Sequence, residues 1–277
     1  MSTPRRKPPA KISLLISDVD GTLVTSDKVL TERTRAAVAG LRERGIGFAV
    51  TSSRPPRGMA MLAGPLGLTT PIAGFNGGVI VDPDFAVIEE HLLSPDIARQ
   101  AIAIILDSGA QAWTFDARRW MLRNPIAAYV DHETLTIGFG PTVISDLGAN
   151  PAGLAKIVGV SQDFELLARS EVAMRQALSE RAFVARSQRY YLDVTHPEAN
   201  KGAAVRAFSR LLAIPPSEIA VIGDGPNDVA MFAEGALSIA MGNASPEVRA
   251  TADLVTDSNA EDGFAKAVER FLLGDPA

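Results

Sequence analysis

The chain has 277 residues, a formal net charge of -5 and no cysteine, with 47% hydrophobic and 21% charged residues. That composition excludes disulfides, thiolate zinc sites and cysteine nucleophiles, and its mild acidity argues against a broad nucleic-acid footprint while leaving room for a local cationic pocket. A chain of this length buries a core without covalent staples and holds one large domain or two modest ones.

The N-terminus, Ser2 through Pro9, is basic and Pro-rich and is expected to be a frayed tail. The apolar run that follows it, 12–16, is too short for a signal core or a membrane span, so a cytoplasmic protein without a membrane partner is expected. Residues 12–17 read as a buried strand. Thr31 caps a helix running to Arg44, with Leu30, Thr34, Val38 and Leu41 on one face and Gly45 as the stop. A strand over 46–51, a helix opened by Pro55 and Pro56 and ending near Leu66, and a strand over 71–75 follow. This βαβαβ order predicts parallel strands with right-handed crossovers.

The rhythm then changes. Segments 79–81 and 86–90 flank Asp82-Pro83-Asp84 as a hairpin, and Ser94-Pro95 begins a helix that ends at Gly109. Strand-like runs at 111–115 and 119–122, a helix over 163–178, and strands near 182–185 and 190–195 complete an α+β stretch. After Lys201 come a helix to Leu212, a strand over 219–222, a helix from Asn227, a strand over 237–241 and a last helix over 261–272. The predicted fold is α/β: a Rossmann-like parallel-sheet core, residues 1–83 and 190–277, split by an inserted α+β cap domain, residues 84–189.

Four clusters carry chemistry. Asp18-Val19-Asp20-Gly21-Thr22 lies just past an apolar strand, where open α/β sheets collect ligands. Two nearby carboxylates repel unless a cation, a shared proton or solvent intervenes, and Gly21 lets backbone amides approach an anion. Alone, the cluster reads equally well as an acidic surface turn. Gly223-Asp224-Gly225-Pro226-Asn227-Asp228 also follows an apolar strand, and its oxygen-rich side chains suit a hard cation such as Mg²⁺; alone, it is a turn with Asn227 as helix cap. Thr51-Ser52-Ser53-Arg54 offers hydroxyls and helix-start amides to an anion, or simply a cap. Lys201, in Asn200-Lys201-Gly202, is a compact cation able to hold a phosphate oxygen, although most lysines are merely solvated. Together they supply a nucleophile, a cation site, an anion cradle and a counter-charge, the parts that phosphoryl transfer needs.

Asp18-Val19-Asp20-Gly21-Thr22-Leu23, Ser52, Lys201-Gly202 and the 223–228 segment resemble the four ordered motifs of the haloacid dehalogenase superfamily. Asn76-Gly77-Gly78, the segment 239–244, Asp253 and Glu261-Asp262-Gly263 are similar to its Cof-like branch, subclass IIB. The resemblance covers roughly 12–82 and 190–272; the inserted segment matches mainly by position and length. Where the branch has Thr-Gly-Arg, this chain has Ser52-Ser53-Arg54, which keeps the hydroxyl and gives up the glycine.

The resemblance implies a Mg²⁺-dependent phosphatase acting on a small phosphorylated metabolite such as a sugar phosphate. Asp18 is then the nucleophile that becomes an aspartyl phosphate, and Asp20 the general acid and base. The metal falls to the Asp18 side chain, the Asp20 backbone carbonyl and Asp224, with Asp228 beside them. Phosphate oxygens fall to Ser52, Ser53, Lys201, Asn227 and backbone amides from Val19 onward. Cap candidates for substrate choice are Trp113, Asp116, Arg118, Arg119, Arg123 and His132, each more often core or surface than ligand; His91 and His196 are read the same way. A phosphosugar mutase and a phosphoacceptor signalling module share parts of this chemistry and stand as alternatives. The sequence leaves monomer and homodimer open.

Overall fold

The computed structural model describes residues 9–274; apart from Pro9, the expected N-terminal tail lies outside the described residues. Strand β1 (Leu14–Ser17) is wholly buried and leads to α1 (Glu32–Glu43), whose Thr31 cap accepts a hydrogen bond from the Thr34 amide at 3.1 Å. After β2 (Gly47–Thr51) comes a tight 3₁₀ turn, Pro56–Met59, joined to α2 (Ala60–Leu66), so the helix expected from Pro55 is in two parts. Strands β3 (Ile72–Gly74), β4 (Val79–Val81) and β5 (Val87–Glu90) end the first half.

A second layer follows: α3 (Pro95–Asp107), β6 (Gln111–Phe115), β7 (Trp120–Leu122), α4 (Val130–Ile137), β8 (Thr142–Val143), β9 (Lys156–Val160), α5 (Phe164–Leu178), β10 (Phe183–Gln188) and β11 (Tyr191–Thr195). The chain returns through α6 (Lys201–Leu212), β12 (Ile219–Gly223), α7 (Val229–Glu234), β13 (Leu237–Ala240), α8 (Pro246–Arg249), β14 (Leu254–Val255) and α9 (Gly263–Ala267). The last predicted helix is α9 followed by a wider turn, Val268–Leu273.

Eight strands form one sheet in the order β14-β13-β12-β1-β2-β3-β4-β5, parallel from β14 to β3 and antiparallel beyond. The chain leaves β1 towards β2 on one side and later returns to β12 on the other. Strand β1 therefore sits where the order reverses, and the crevice at its carboxyl end is the natural place for a ligand. Six strands form the second sheet, β10-β11-β9-β6-β7-β8. One face packs on α3 and α5 through Ala112, Met121, Ile157, Leu192 and Val194. The other turns Trp113, Phe115, Trp120, Val158 and Tyr191 into a cluster continuous with residues of the first sheet.

Four details differ from the sequence reading. Residues 190–195 were expected in the core, yet Tyr191–Thr195 pairs antiparallel with both β9 and β10 and lies in the six-stranded sheet. Residues 84–90 were expected to start the cap, yet Val87–Glu90 pairs with β4 and extends the eight-stranded sheet. Both strands are joined to their sheet partners by short turns, and pairing across a hairpin outweighs the change in sequence rhythm. Strand β9, at the centre of the cap sheet, went unread because Gly159 interrupts its apolar run. That glycine lets α3 approach: a Cβ there would stand 3.3 Å from Ile105. Helix α4 also went unread; it begins at Tyr129, whose left-handed φ of 68° no propensity signals.

Candidate active site

The carboxyl ends of β1, β2 and β12 and the start of α6 converge on one point. Asp18 follows β1 directly, and its amide donates to the Ile222 carbonyl of β12 at 3.0 Å. Asp224 and Asp228 follow β12. Asp18, Asp224 and Asp228 each bring a carboxylate oxygen within 4.8 Å of the others. Lys201, the first residue of α6, is placed by the Asn200 cap, whose side chain accepts from the Ala203 amide at 2.9 Å. Its ammonium donates to Asp18 and, at 2.5 Å, to Asp228, with only 1% of the side chain exposed.

Asp228 is used completely. One oxygen takes the Lys201 ammonium; the other accepts from the amides of Asp224 and Gly225 at 2.8 and 2.7 Å, which folds the loop back on itself. Asp224 is more open. It accepts from Thr22 Oγ1 at 3.3 Å and Asn243 Nδ2 at 3.0 Å, while Asn243 also donates to the Gly21 carbonyl at 2.9 Å.

One buried ammonium faces three carboxylates, so the cluster carries uncompensated negative charge. Burial pushes the Asp18 carboxyl well above its ordinary value, and Asp228 and Asp224 add to this against the opposing Lys201 charge. Asp224 is pushed up to about 6, by burial first and by Asp228 next. Burial would lower the Lys201 ammonium, but its two ion pairs outweigh that and hold it above the usual lysine value. An all-oxygen pocket with surplus negative charge fits a hard divalent cation.

Asp20 points elsewhere. Arg54 grips it with two bonds, Nε to Oδ2 and a terminal nitrogen to Oδ1, both 2.7 Å, and Lys28 Nζ adds a third at 2.6 Å. Burial favours the neutral Asp20 carboxyl, yet Arg54 and then Lys28 outweigh it and hold the group below the ordinary carboxylate value. Arg54 is itself buried. The sequence reading named Arg54 only as the end of the third cluster, with no role, and did not name Lys28. Arg54 ends the Ser-Ser-Arg segment and had a signal; Lys28 sits in a loop at a left-handed φ of 62° and had none.

Ser52 is buried, its Oγ accepting from the Arg54 amide at 3.2 Å and its carbonyl from the Asn76 amide at 2.7 Å. Ser53 takes no left-handed backbone, so serine is tolerated where the family has glycine. Asn227 Nδ2 donates to Asn76 Oδ1 at 3.0 Å, which ties the two loops together across the mouth of the site. The Val19 carbonyl accepts from the amides of residues 22, 23 and 24 and closes the turn after Asp18. In the cap, Asp116 accepts from the amides of Arg118 and Arg119 and pairs with the Arg119 guanidinium, so these three residues build a turn.

The family description "haloacid dehalogenase-like hydrolase" matches residues 15–268, nearly the whole chain. The chain belongs to the haloacid dehalogenase-like hydrolases. This hydrolase is 27% identical over 263 residues to the 5-amino-6-(5-phospho-D-ribitylamino)uracil phosphatase YcsE of Bacillus subtilis, covering 95% of this chain and 96% of that one. It is 29% identical over 233 residues to the HMP-PP phosphatase of Cronobacter sakazakii, covering 84% and 85%. A solved haloacid dehalogenase-like hydrolase from Bacteroides thetaiotaomicron shares its fold with a TM-score of 0.88 and 28% identity, covering 95% of this hydrolase and all of that chain. Among the described residues of the hydrolase, no helix is long and apolar enough to cross a membrane.

Proposed function

We propose that this hydrolase is a phosphatase that removes phosphate from a small phosphorylated metabolite through an aspartyl phosphate on Asp18, with Mg²⁺ as cofactor and in the cytoplasm. The convergence of Asp18, Asp224 and Asp228 around the buried Lys201 ammonium carries the reading. The curated relatives described above are phosphatases of small phosphorylated compounds, which supports the same class here. Asp18, Asp224 and the Asp20 backbone carbonyl would hold the metal, with Asp228 braced behind them. Bound Mg²⁺ supplies positive charge against which an anionic carboxylate and an anionic phosphate tolerate each other.

A carboxylate oxygen of Asp18 forms a bond to phosphorus while the bond from phosphorus to the leaving alcohol breaks. Asp20 gives its proton to that alcohol. In the second half, Asp20 takes a proton from water, the water oxygen bonds to phosphorus, and the bond to Asp18 breaks. Ser52, Ser53, Asn227 and amides beyond Val19 hold the phosphate oxygens, and Lys201 balances their charge. Held ionised by Arg54 and Lys28, Asp20 is set for the second half; substrate must loosen that grip for the first.

Phosphate release from a panel of phosphorylated metabolites, with Mg²⁺ and with chelator, tests the reading. Turnover of at least one monoester, lost on chelation and restored by Mg²⁺, is the expected result; release indifferent to chelation overturns the metal assignment. Asp20→Asn is expected to slow alkyl phosphates about 10²–10⁴-fold and p-nitrophenyl phosphate far less, because an activated phenolate leaves without a proton. Equal losses on both would remove Asp20 from the acid role. Gly21 has φ +80°, and a Cβ there would overlap the Asp224 carboxylate. Gly21→Ala is therefore expected to raise the Mg²⁺ needed for half-maximal turnover by about 10–100-fold, with far-UV circular dichroism unchanged. An unaltered Mg²⁺ requirement would mean that Asp224 is not a ligand.

A further inference from the structure

The chain crosses between its two layers twice, and a histidine stands at each crossing. At the first, the His91 amide donates to the carbonyl of Gly78, just before β4, at 2.7 Å; two residues on, the Leu93 amide donates to the Leu154 carbonyl of the second layer at 2.9 Å. At the second, Thr195 still pairs with Lys156 and Phe183 in the six-stranded sheet, and Asn200 already caps α6. His196 lies between them. The His91 and His196 rings stack, with centroids 5.5 Å apart and planes inclined by 24°. Two of the three histidines in the chain therefore meet where both connections run side by side.

The second crossing is folded onto the His196 ring. Its Nδ1 accepts from the Glu198 amide at 3.1 Å, and the His196 carbonyl accepts from the Ala199 amide at 2.9 Å. A backbone amide nitrogen only donates, so Nδ1 carries no proton in this arrangement. The turn rests on the loop that holds His91: a Cβ on Gly78 would stand 3.2 Å from Ala199, and one on Gly77 3.0 Å from the Asn200 carbonyl. A proton on Nδ1 would set two N–H groups against each other, and charging both rings would bring like charges into contact. The neighbouring groups do not cancel this. Glu198 favours the charged ring, but burial first and His91 next outweigh it and hold His196 below the ordinary histidine value. The Glu198 carboxylate lies 3.9 Å from Arg206 of α6, Glu90 beside His91 is exposed, and Glu89 is tied to Arg210 of α6. The stacked arrangement thus binds fewer protons than one with the rings parted. Acid favours parting, from the ordinary histidine value downwards.

We propose that the stacked His91–His196 pair is a proton-sensitive clasp between the two layers: neutral, it holds both crossings together and keeps the second layer down over the crevice at the end of β1; protonated, it lets the crossings part and the crevice open. Short connections of this kind absorb the backbone changes of a moving layer. The chain has no cysteine, so two spin labels are placed without background at Glu43→Cys on α1 and Val172→Cys on α5, both exposed positions. Their separation is measured by pulsed dipolar spectroscopy in the full-length protein with Mg²⁺, from about pH 8 to about pH 5.5, the range in which histidine titrates. A second, displaced distance population is expected to grow about tenfold relative to the first over that range, the ratio that one unit of pKa difference gives. His196→Asn keeps an acceptor for the Glu198 amide without a titrating ring, and His91→Phe keeps the stack without a second charge; each is expected to reduce that growth to about twofold or less. Far-UV circular dichroism at both ends of the range is expected to match the parent for each variant. A distance distribution that is the same at both ends of the range, or a shift that persists undiminished in both folded variants, overturns the proposal. The measurement needs no substrate, so it judges the clasp whatever ester the site turns over.

Discussion

Asp18→Asn is expected to lower phosphate release by about 10⁴-fold or more while leaving the protein folded. The amide is nearly the shape of the carboxylate, so packing at the end of β1 is kept and Lys201 retains Asp228 as partner. What is lost is the oxygen nucleophile, and removing a covalent nucleophile typically leaves only the catalysis that positioning and charge provide. A loss of that size is about 5–6 kcal/mol of transition-state stabilisation. Stability is expected to change little, because one ion pair with Lys201 is given up while repulsion from Asp224 and Asp228 is relieved. Borohydride reduction of acid-quenched wild type during turnover is expected to convert residue 18 to homoserine, found by peptide mass spectrometry. Turnover by Asp18→Asn close to wild type, or homoserine at another aspartate, would place the chemistry elsewhere.

The site was legible in the sequence because each of its loops begins where an apolar strand ends, and such strands are readable from composition alone. Asp18, Asp224 and Asp228 meet for that reason, although 206 positions and an entire second sheet separate Asp18 from Asp224 along the chain; Lys201 instead joins them from the start of α6, after a strand of the second sheet. The partners of the carboxylates were not legible. Whether Asp20 faces the metal pocket or Arg54 depends on a rotamer, and Lys28 reaches it only because of a left-handed turn. Asn243 was noticed as part of a family segment, but its bond to Asp224 arises from tertiary packing of the loop after β13 on the turn at Gly21. In the cap, hydrophobic period identified β6 and α5 closely, whereas β9 needed knowledge of how near α3 comes before Gly159 made sense.

Lys201→Met is expected to damage stability and catalysis together, which separates a buried counter-ion from a surface phosphate contact. The Lys201 ammonium is the cation that touches Asp18 and Asp228, both in the protein interior. Methionine fills much the same volume and leaves those carboxylates without it. Breaking a buried pair from one side typically costs about 3–5 kcal/mol, so the melting temperature in chelator should fall by roughly 6–20 °C for a protein of this size. The pH dependence has a definite sign. A carboxyl whose folded pKa lies above its unfolded value holds more protons in the folded state, so stability falls as pH rises between the two values. Asp18 already lies well above its ordinary value, and loss of Lys201 raises it further. The gap between variant and wild type should therefore shrink as the solution is acidified and Asp18 becomes protonated, and widen towards neutrality. Mg²⁺ should close part of the gap at pH 7 by supplying positive charge to the same carboxylates. A melting difference independent of pH, or equal stability at pH 7 in chelator, would show that Lys201 does not neutralise Asp18 and Asp228.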